Sequence, residues 1–99
     1  MSDGDPIIHQ ATRLRIMASL NRLATDASLD FTRLKSILET TDGNLGTHLD
    51  ALEKAGYIAI DKSFEGRKPR TRVKATPAGR RAFARHVAYL REIINDGGQ

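Results

Sequence analysis

The run Tyr57-Ile58-Ala59-Ile60-Asp61-Lys62-Ser63-Phe64-Glu65-Gly66-Arg67-Lys68-Pro69-Arg70-Thr71-Arg72-Val73-Lys74-Ala75-Thr76-Pro77 decides the fold. Tyr57 to Ile60 is short, apolar and rich in strand formers, which predicts a strand. Thr71 to Thr76 alternates with period two, with Val73 and Ala75 on one face and Arg72 and Lys74 on the other, which predicts a second strand. Phe64 to Arg70 lies between them and holds Gly66 and Pro69, so it reads as the turn of a hairpin with a basic tip. Thr76-Pro77 then starts a helix, a hydroxyl cap followed by a proline whose φ suits the first turn. That helix extends to about Asn95, with Phe83, Val87, Leu90 and Ile94 recurring at helical spacing. Asp96 to Gln99 reads as a frayed tail.

Upstream of the hairpin the signals are helical. Thr41 is a good N-cap for a helix from Asp42 to about Ala55, and Leu45, Leu49 and Leu52 form one buried stripe on it. Gly56 stands where a helix end needs a left-handed residue. A shorter helix, Phe31 to about Leu38, precedes it, capped by Asp30 and apolar at Leu34, Ile37 and Leu38. Leu29 sits in a short extended segment. The first helix spans about Ile8 to Leu23, with Asp5 as cap, Pro6 in the first turn, and Leu14, Met17, Ala18 and Leu20 on one face. The order is helix, helix, helix, strand, strand, helix: an α+β, mostly helical domain of three helices, a two-stranded wing and a C-terminal helix. Two short helices joined by a few residues form a helix-turn-helix, and the basic hairpin directly after it makes the arrangement a winged one.

Length and composition agree with one domain over residues 1–99. Cysteine is absent, which removes disulfides, thiolate metal sites and cysteine nucleophiles and suits a reducing, cytoplasmic setting. The acidic, polar start Met1 to Pro6 does not read as a signal peptide, and no apolar run is long enough to span a bilayer, so no membrane partner is expected. Charge is distributed unevenly. Residues 1–50 carry five Lys/Arg and seven Asp/Glu, whereas residues 51–99 carry eleven and five. Within residues 62–85 nine cations face one acid, Glu65, an electrostatic footprint for a polyanion.

These segments resemble the small winged-helix transcription regulators related to the MarR and ArsR groups. The resemblance rests on Thr12 to Met17, Phe31 to Lys35, Thr41 to Leu49, Leu52-Glu53-Lys54-Ala55-Gly56-Tyr57-Ile58, Lys62 to Thr71 and Thr76-Pro77-Ala78-Gly79-Arg80, and it covers about residues 6 to 95. It implies sequence-specific binding to double-stranded DNA by a dimeric transcriptional regulator. In such proteins the second helix of the helix-turn-helix enters the major groove. The residues expected there are Thr41, Gly43, Asn44, Thr47 and His48: Asn44 to pair with adenine, Thr47 to reach a base or phosphate, and His48 to donate to a phosphate or guanine. Gly43 and Gly46 suit a close backbone approach, to DNA or to the preceding helix. Lys62, Arg67, Lys68, Arg70, Arg72 and Lys74 of the wing are expected on phosphates, with Arg67 or Arg70 reaching a minor groove. Metal-sensing relatives use cysteine or clustered ligands and larger ones carry additional helices around a ligand pocket, so no metal and no cofactor are expected here.

The last helix carries more apolar surface than a small domain can cover. Val87, Leu90, Ile93 and Ile94, with Ile7 and Ile8 from the other end of the chain, are expected to form a homodimer interface, and two-fold symmetry then implies a near-palindromic operator. Enzymatic activity is not expected: His9, His48 and His86 fall on three different predicted helices, with His86 solvated, and no phosphate loop or metal-ligand spacing appears. The alternative class is a winged-helix protein-interaction module without specific DNA binding, since fold does not dictate function.

Overall fold

The structure, a computed structural model, describes residues 4–97. Its elements are α1 (Ala11–Asn21), β1 (Leu29–Asp30), α2 (Phe31–Leu38), α3 (Asp42–Lys54), β2 (Ile58–Glu65), β3 (Lys68–Ala75) and α4 (Pro77–Gly97). The helix and hairpin order is the expected one, and the extended segment at Leu29 gains a partner. Leu29 pairs with Val73 and Asp30 with Arg72, so the wing is the outer part of a three-stranded antiparallel sheet ordered β1-β3-β2.

α3 forms as its sequence predicts. The Thr41 hydroxyl accepts from the Asn44 amide at 3.1 Å, and Leu45, Leu49 and Leu52 are buried. Gly56 follows with φ of 80°, a conformation that a Cβ would strain. The reversal from α2 into α3 is made by Glu39, whose left-handed backbone (φ 51°) returns its N–H to the Lys35 and Ser36 carbonyls. α2 buries Leu34 and Leu38 but leaves Ile37 exposed, so its apolar stripe is narrower than expected.

α1 starts three residues later than predicted. The Asp5 carboxylate accepts from the Ile7 and Ile8 amides at 2.8 and 3.1 Å, and the His9 amide reaches the Asp5 carbonyl, closing one isolated turn. Gln10 then becomes extended and its side chain caps α1 at the Arg13 amide, 2.9 Å. Asp5 is thus a cap, but of a separate turn. The buried face of α1 is Ile16, Met17 and Leu20, with Leu14 and Ala18 only half-buried. Ile8, expected at an exposed interface, is wholly buried in the core, and Ile7 packs against that core half-buried.

The hairpin is longer and its turn tighter than predicted. Glu65 pairs with Lys68 across Gly66-Arg67, so the strands take over most of the segment read as a turn. Gly66 adopts φ of 64°, as the first central residue of a tight hairpin turn requires. Pro69 is a strand residue opposite Phe64; β1 pairs with β3 only at Arg72 and Val73, so no ladder bond is lost at the other edge there. At the hairpin base, Thr76 locks three elements together. Its amide reaches the Tyr57 carbonyl at 3.0 Å, its hydroxyl donates to the Gly56 carbonyl at 2.6 Å, and that hydroxyl oxygen accepts from the Gly79 amide at 3.0 Å. Gly79 is buried against Tyr57, and a Cβ there would lie 2.8 Å from the Tyr57 carbonyl carbon.

α4 buries Gly79, Ala82 and His86, with Phe83 partly covered; this face is offset from the expected Phe83-Val87-Leu90-Ile94 row. Val87 and Leu90 are half-buried, and Ile93 and Ile94 are 50% and 70% exposed. The helix continues through Asp96 and Gly97, so the predicted frayed tail is helical that far; residues 98–99, like residues 1–3, lie outside the described part. Every residue from 91 to 97 is exposed, and the molecule measures 57 × 25 × 22 Å.

His86 is buried rather than solvated, at 1% exposure. The segment before α1 folds over α4, a contact that α4's own periodicity cannot reveal. The Asp5 amide donates to His86 Nδ1 at 3.0 Å, and the Tyr57 hydroxyl donates to the Asp5 carboxylate at 2.6 Å. His9 is not helical but sits in the isolated turn, its ring 5.9 Å from His86 and edge-on. Burial, reinforced by His9, lowers the His86 pKa against the opposing charge of Asp5. Burial alone would raise the Asp5 carboxyl, but hydrogen bonds from Tyr57 and the Ile8 and Ile7 amides outweigh it and lower its pKa. The Tyr57 phenol is raised, first by its bond to Asp5 and then by burial.

Candidate nucleic-acid interface

The first turns of α3 present Thr41, Gly43, Asn44 and Thr47 together, all exposed. Their orientation follows from the leucine stripe: once Leu45, Leu49 and Leu52 enter the core, the residues between them point outward. Thr41 is held by its capping bond, and Asn44 donates from Nδ2 to the Thr40 hydroxyl at 2.7 Å. Thr47 donates to the Gly43 carbonyl at 3.0 Å. A Cβ at Gly43 or Gly46 would meet nothing within 4 Å. The close approach expected of these glycines is therefore not an approach to α2. Lys35 of α2 pairs with Asp42 at 2.8 Å and ties the two helices at the start of α3.

His48 departs from this group. It is half-buried and turned toward α1, where its Nδ1 accepts from Arg13 Nε at 3.1 Å. Burial, then the Arg13 charge, lowers its pKa, so His48 is neutral at pH 7 and carries its proton on Nε2. Arg13 was not singled out from the sequence. Nothing in the spacing of α1 and α3 signals a pair 35 residues apart.

The wing cations divide into two sets. Arg70 pairs with Asp30 and, at 2.8 Å, with Glu65. Arg72 pairs with the same two acids at 3.6 and 3.2 Å, and Lys74 lies 3.8 Å from Asp26. Asp30 occupies the predicted N-cap position of α2 but makes no side-chain capping bond, because its carboxylate serves these arginines. Arg80 is also committed, donating to the Leu23 and Ala24 carbonyls at 3.2 Å beyond the end of α1. Lys62, Arg67 and Lys68 are exposed and make none of the ion pairs found among the described residues. The nine-cation block of the sequence is thus partly neutralised from within.

Lys62 and Thr71 border a cleft that Gly46, Leu49 and Asp50 line from α3, so the wing meets α3 along the middle of that helix. A second cleft, between α2 and the wing, is lined by Thr32, Arg33 and Ser36 together with Lys68 and Pro69. Thr32, Arg33 and Ser36 are not among the residues expected from the sequence to lie beside the wing. The available signal is the polar face of α2 opposite Leu34 and Leu38. Among the described residues, no group of three His, Cys, Asp or Glu side chains is placed to hold a metal ion, and no helix is long and apolar enough to cross a membrane.

The comparisons with known proteins agree with this architecture. The chain is 36% identical over 87 residues to an uncharacterised protein of Methanocaldococcus jannaschii, covering 88% of this chain and 91% of that one. It is similar in structure to a transcriptional regulator homologue from Pyrococcus horikoshii, with a TM-score of 0.82, 30% identity, and coverage of 91% and 86% of the two chains. It shares its fold with NadR, solved in complex with 4-hydroxyphenylacetate, at a TM-score of 0.64 and 24% identity, over 95% of this chain and 69% of that one. Residues 12–94 match the winged helix DNA-binding domain model, and the chain belongs to that family.

Proposed function

We propose that this protein binds double-stranded DNA as a homodimeric transcriptional regulator without enzymatic activity, acting in the cytoplasm. The observation that carries the reading is an exposed start of α3, with Gly43, Asn44 and Thr47, beside a wing whose Lys62 borders a cleft with α3 and whose Arg67 and Lys68 are exposed and outside the ion pairs found among the described residues. α3 enters a major groove, where Asn44 exchanges its Thr40 bond for an adenine edge and Thr47 contacts a base or phosphate. The open surface at Gly43 and Gly46 suits close approach of the α3 backbone to DNA. Thr41 and the Nε2–H of His48 reach the backbone at the margin. Lys62, Arg67 and Lys68 hold phosphates or the adjoining minor groove, with Arg67 better placed than Arg70 to reach it. Arg70, Arg72 and Lys74 contribute chiefly by setting the wing's position.

The dimer reading rests on α4. Val87, Leu90, Ile93 and Ile94 run along its outer half, beyond most of the domain's own core. A second copy covers this strip, Ile7 borders it at most, and Ile8 takes no part. Two-fold symmetry places the two α3 helices about one DNA turn apart, on a near-palindromic operator.

Selection of bound fragments from a random duplex pool, with sedimentation of the complex, tests both parts. An inverted repeat bound by two chains is expected. Salt-independent or absent binding would favour a protein-interaction module, and a monomer on an asymmetric site would remove the dimer.

A further inference from the structure

The hairpin's pleat sorts its side chains onto two faces. Ile58, Ile60, Lys62 and Phe64 of β2 share one face with their partners Ala75, Val73, Thr71 and Pro69 of β3. Near the base this face is core: Ile58, Val73 and Ala75 are buried and Ile60 is half-buried. At Lys62 it reaches the cleft beside α3. Phe64 lies one pleat further out, is 73% exposed, and makes no aromatic pairing among the described residues.

An aromatic ring so far beyond the core adds little to the stability of the domain. Covering such a ring with apolar surface is favourable, because it removes the ring from water. Its surroundings indicate what covers it. Lys62 flanks it on the same face, in the cleft that Asp50 of α3 also lines, and Arg67 and Lys68 stand at the turn; these three cations make none of the ion pairs found among the described residues. A protein partner would have to supply matching carboxylates around an apolar ring. A nucleic-acid groove offers both features at once, since its phosphates border apolar sugar and base surfaces.

We propose that Phe64, backed by Pro69, is a minor-groove contact residue that packs on deoxyribose and an edge of a base step beside the segment covered by α3. This rests on the DNA-binding reading above. The ring is uncharged, so its contribution does not depend on counterion release, unlike those of Lys62 and Arg67. It also favours grooves without the guanine N2 amino group, which projects into the minor groove.

The test uses the full chain and duplexes of alternating A·T, G·C and I·C pairs, read by fluorescence anisotropy at two salt concentrations. Inosine keeps the major-groove acceptors of guanine but lacks the minor-groove amino group. The wild-type protein is expected to bind A·T and I·C duplexes more tightly than G·C. Phe64→Ala should lose about fivefold on A·T and I·C, shrink the preference over G·C, and leave the salt slope unchanged. Phe64→Leu should recover part of the loss. Lys62→Ala should instead weaken all three duplexes and lower the slope by about 0.9. Equal binding by Phe64→Ala and wild type overturns the proposal while leaving the DNA-binding reading intact. An equal loss on G·C and I·C overturns its minor-groove part, and a change in self-association without a change in DNA affinity assigns the ring to a second copy instead. Wild-type protein that binds none of the duplexes in a salt-dependent manner removes both readings.

Discussion

The two faces of one hairpin carry similar residues to different ends. On the face away from α3, Arg70 and Arg72 are neutralised by Asp30 and Glu65, and Lys74 approaches Asp26. On the face toward α3, Lys62 is exposed and shares its cleft with Asp50 but makes none of the ion pairs found among the described residues, and Arg67 at the tip makes none either. A cation already held by a carboxylate has little to gain from a phosphate, because one neutralising partner must be released to admit another. The difference shows that a basic block measured along the chain overstates the surface offered to a polyanion. The outer face holds the wing to β1 and α2, and the inner face and the tip are left to meet a ligand.

Both faces depend on the hairpin base, so the largest expected effect lies there. Gly79→Ala drives a Cβ into the Tyr57 carbonyl, and the backbone must move; a loss of roughly 2–4 kcal/mol is expected, a Tm drop of about 10 °C or more. Thermal unfolding followed by circular dichroism checks this, and an unchanged Tm would contradict the tight contact. Next in size is the split between the faces. Lys62→Ala or Arg67→Ala should each weaken DNA binding about fivefold at 0.15 M salt and lower the salt slope by about 0.9. Arg72→Gln should leave the slope nearly as it is, and equal slopes for Arg67→Ala and Arg72→Gln would erase the distinction between the faces.

A smaller effect is expected from removing one of the two acids that bind the outer-face arginines. Asp30→Asn leaves Glu65 as the acidic partner of both Arg70 and Arg72, so one of their two neutralising charges is lost, which should steepen the salt slope by up to about one and strengthen binding to mixed-sequence DNA. The ion pairs are partly exposed, so the accompanying stability loss should stay within about 1 kcal/mol. A flatter slope in this variant would sink the idea that the arginines are held in reserve.

The smallest effect is set by pH and acts at the base rather than the tip. The His86 pKa is lowered in the folded state by burial and His9, and that of His48 by burial and Arg13, so the unfolded chain binds these protons more readily. Their contribution to stability is complete above about pH 6.5 and falls away as pH drops below it. Protonation at His86 Nδ1 would also break the bond from the Asp5 amide. His86→Gln should therefore flatten the decline of Tm between about pH 7.5 and 5.5. A decline as steep as in the wild type would place the acid sensitivity elsewhere.

Much of this architecture was legible in the sequence because its signals are local. The Thr41 cap, the Leu45-Leu49-Leu52 stripe, the left-handed Gly56 and the Thr76-Pro77 restart are satisfied by residues a few positions away. The Ala-Gly-Tyr and Thr-Pro-x-Gly motifs were readable separately, but their joint meaning is a contact: Thr76 bonds Gly56 and Tyr57, and Gly79 must lack a Cβ because Tyr57 lies against it. Single residues carried less than their patterns. Period-two alternation placed Val73 and Ala75 correctly on the buried side, yet it could not tell which of the wing cations had acids opposite them.

The sequence alone determined the order of elements, the identity of the α3 stripe and the position of a basic hairpin after it, since these follow from backbone periodicity and capping chemistry. Only the tertiary structure decided the charge of the wing, because Asp26 and Asp30 reach it from the segment before α2. It also decided that Ile8 and His86 are interior, because the segment before α1 folds across α4, and that His48 turns from the exposed row of α3 toward Arg13. Each of these depends on residues far apart in the chain. The exposed ring of Phe64 belongs with them: the sequence places it in the turn, and only the length of the paired hairpin makes it a strand residue carried past the core.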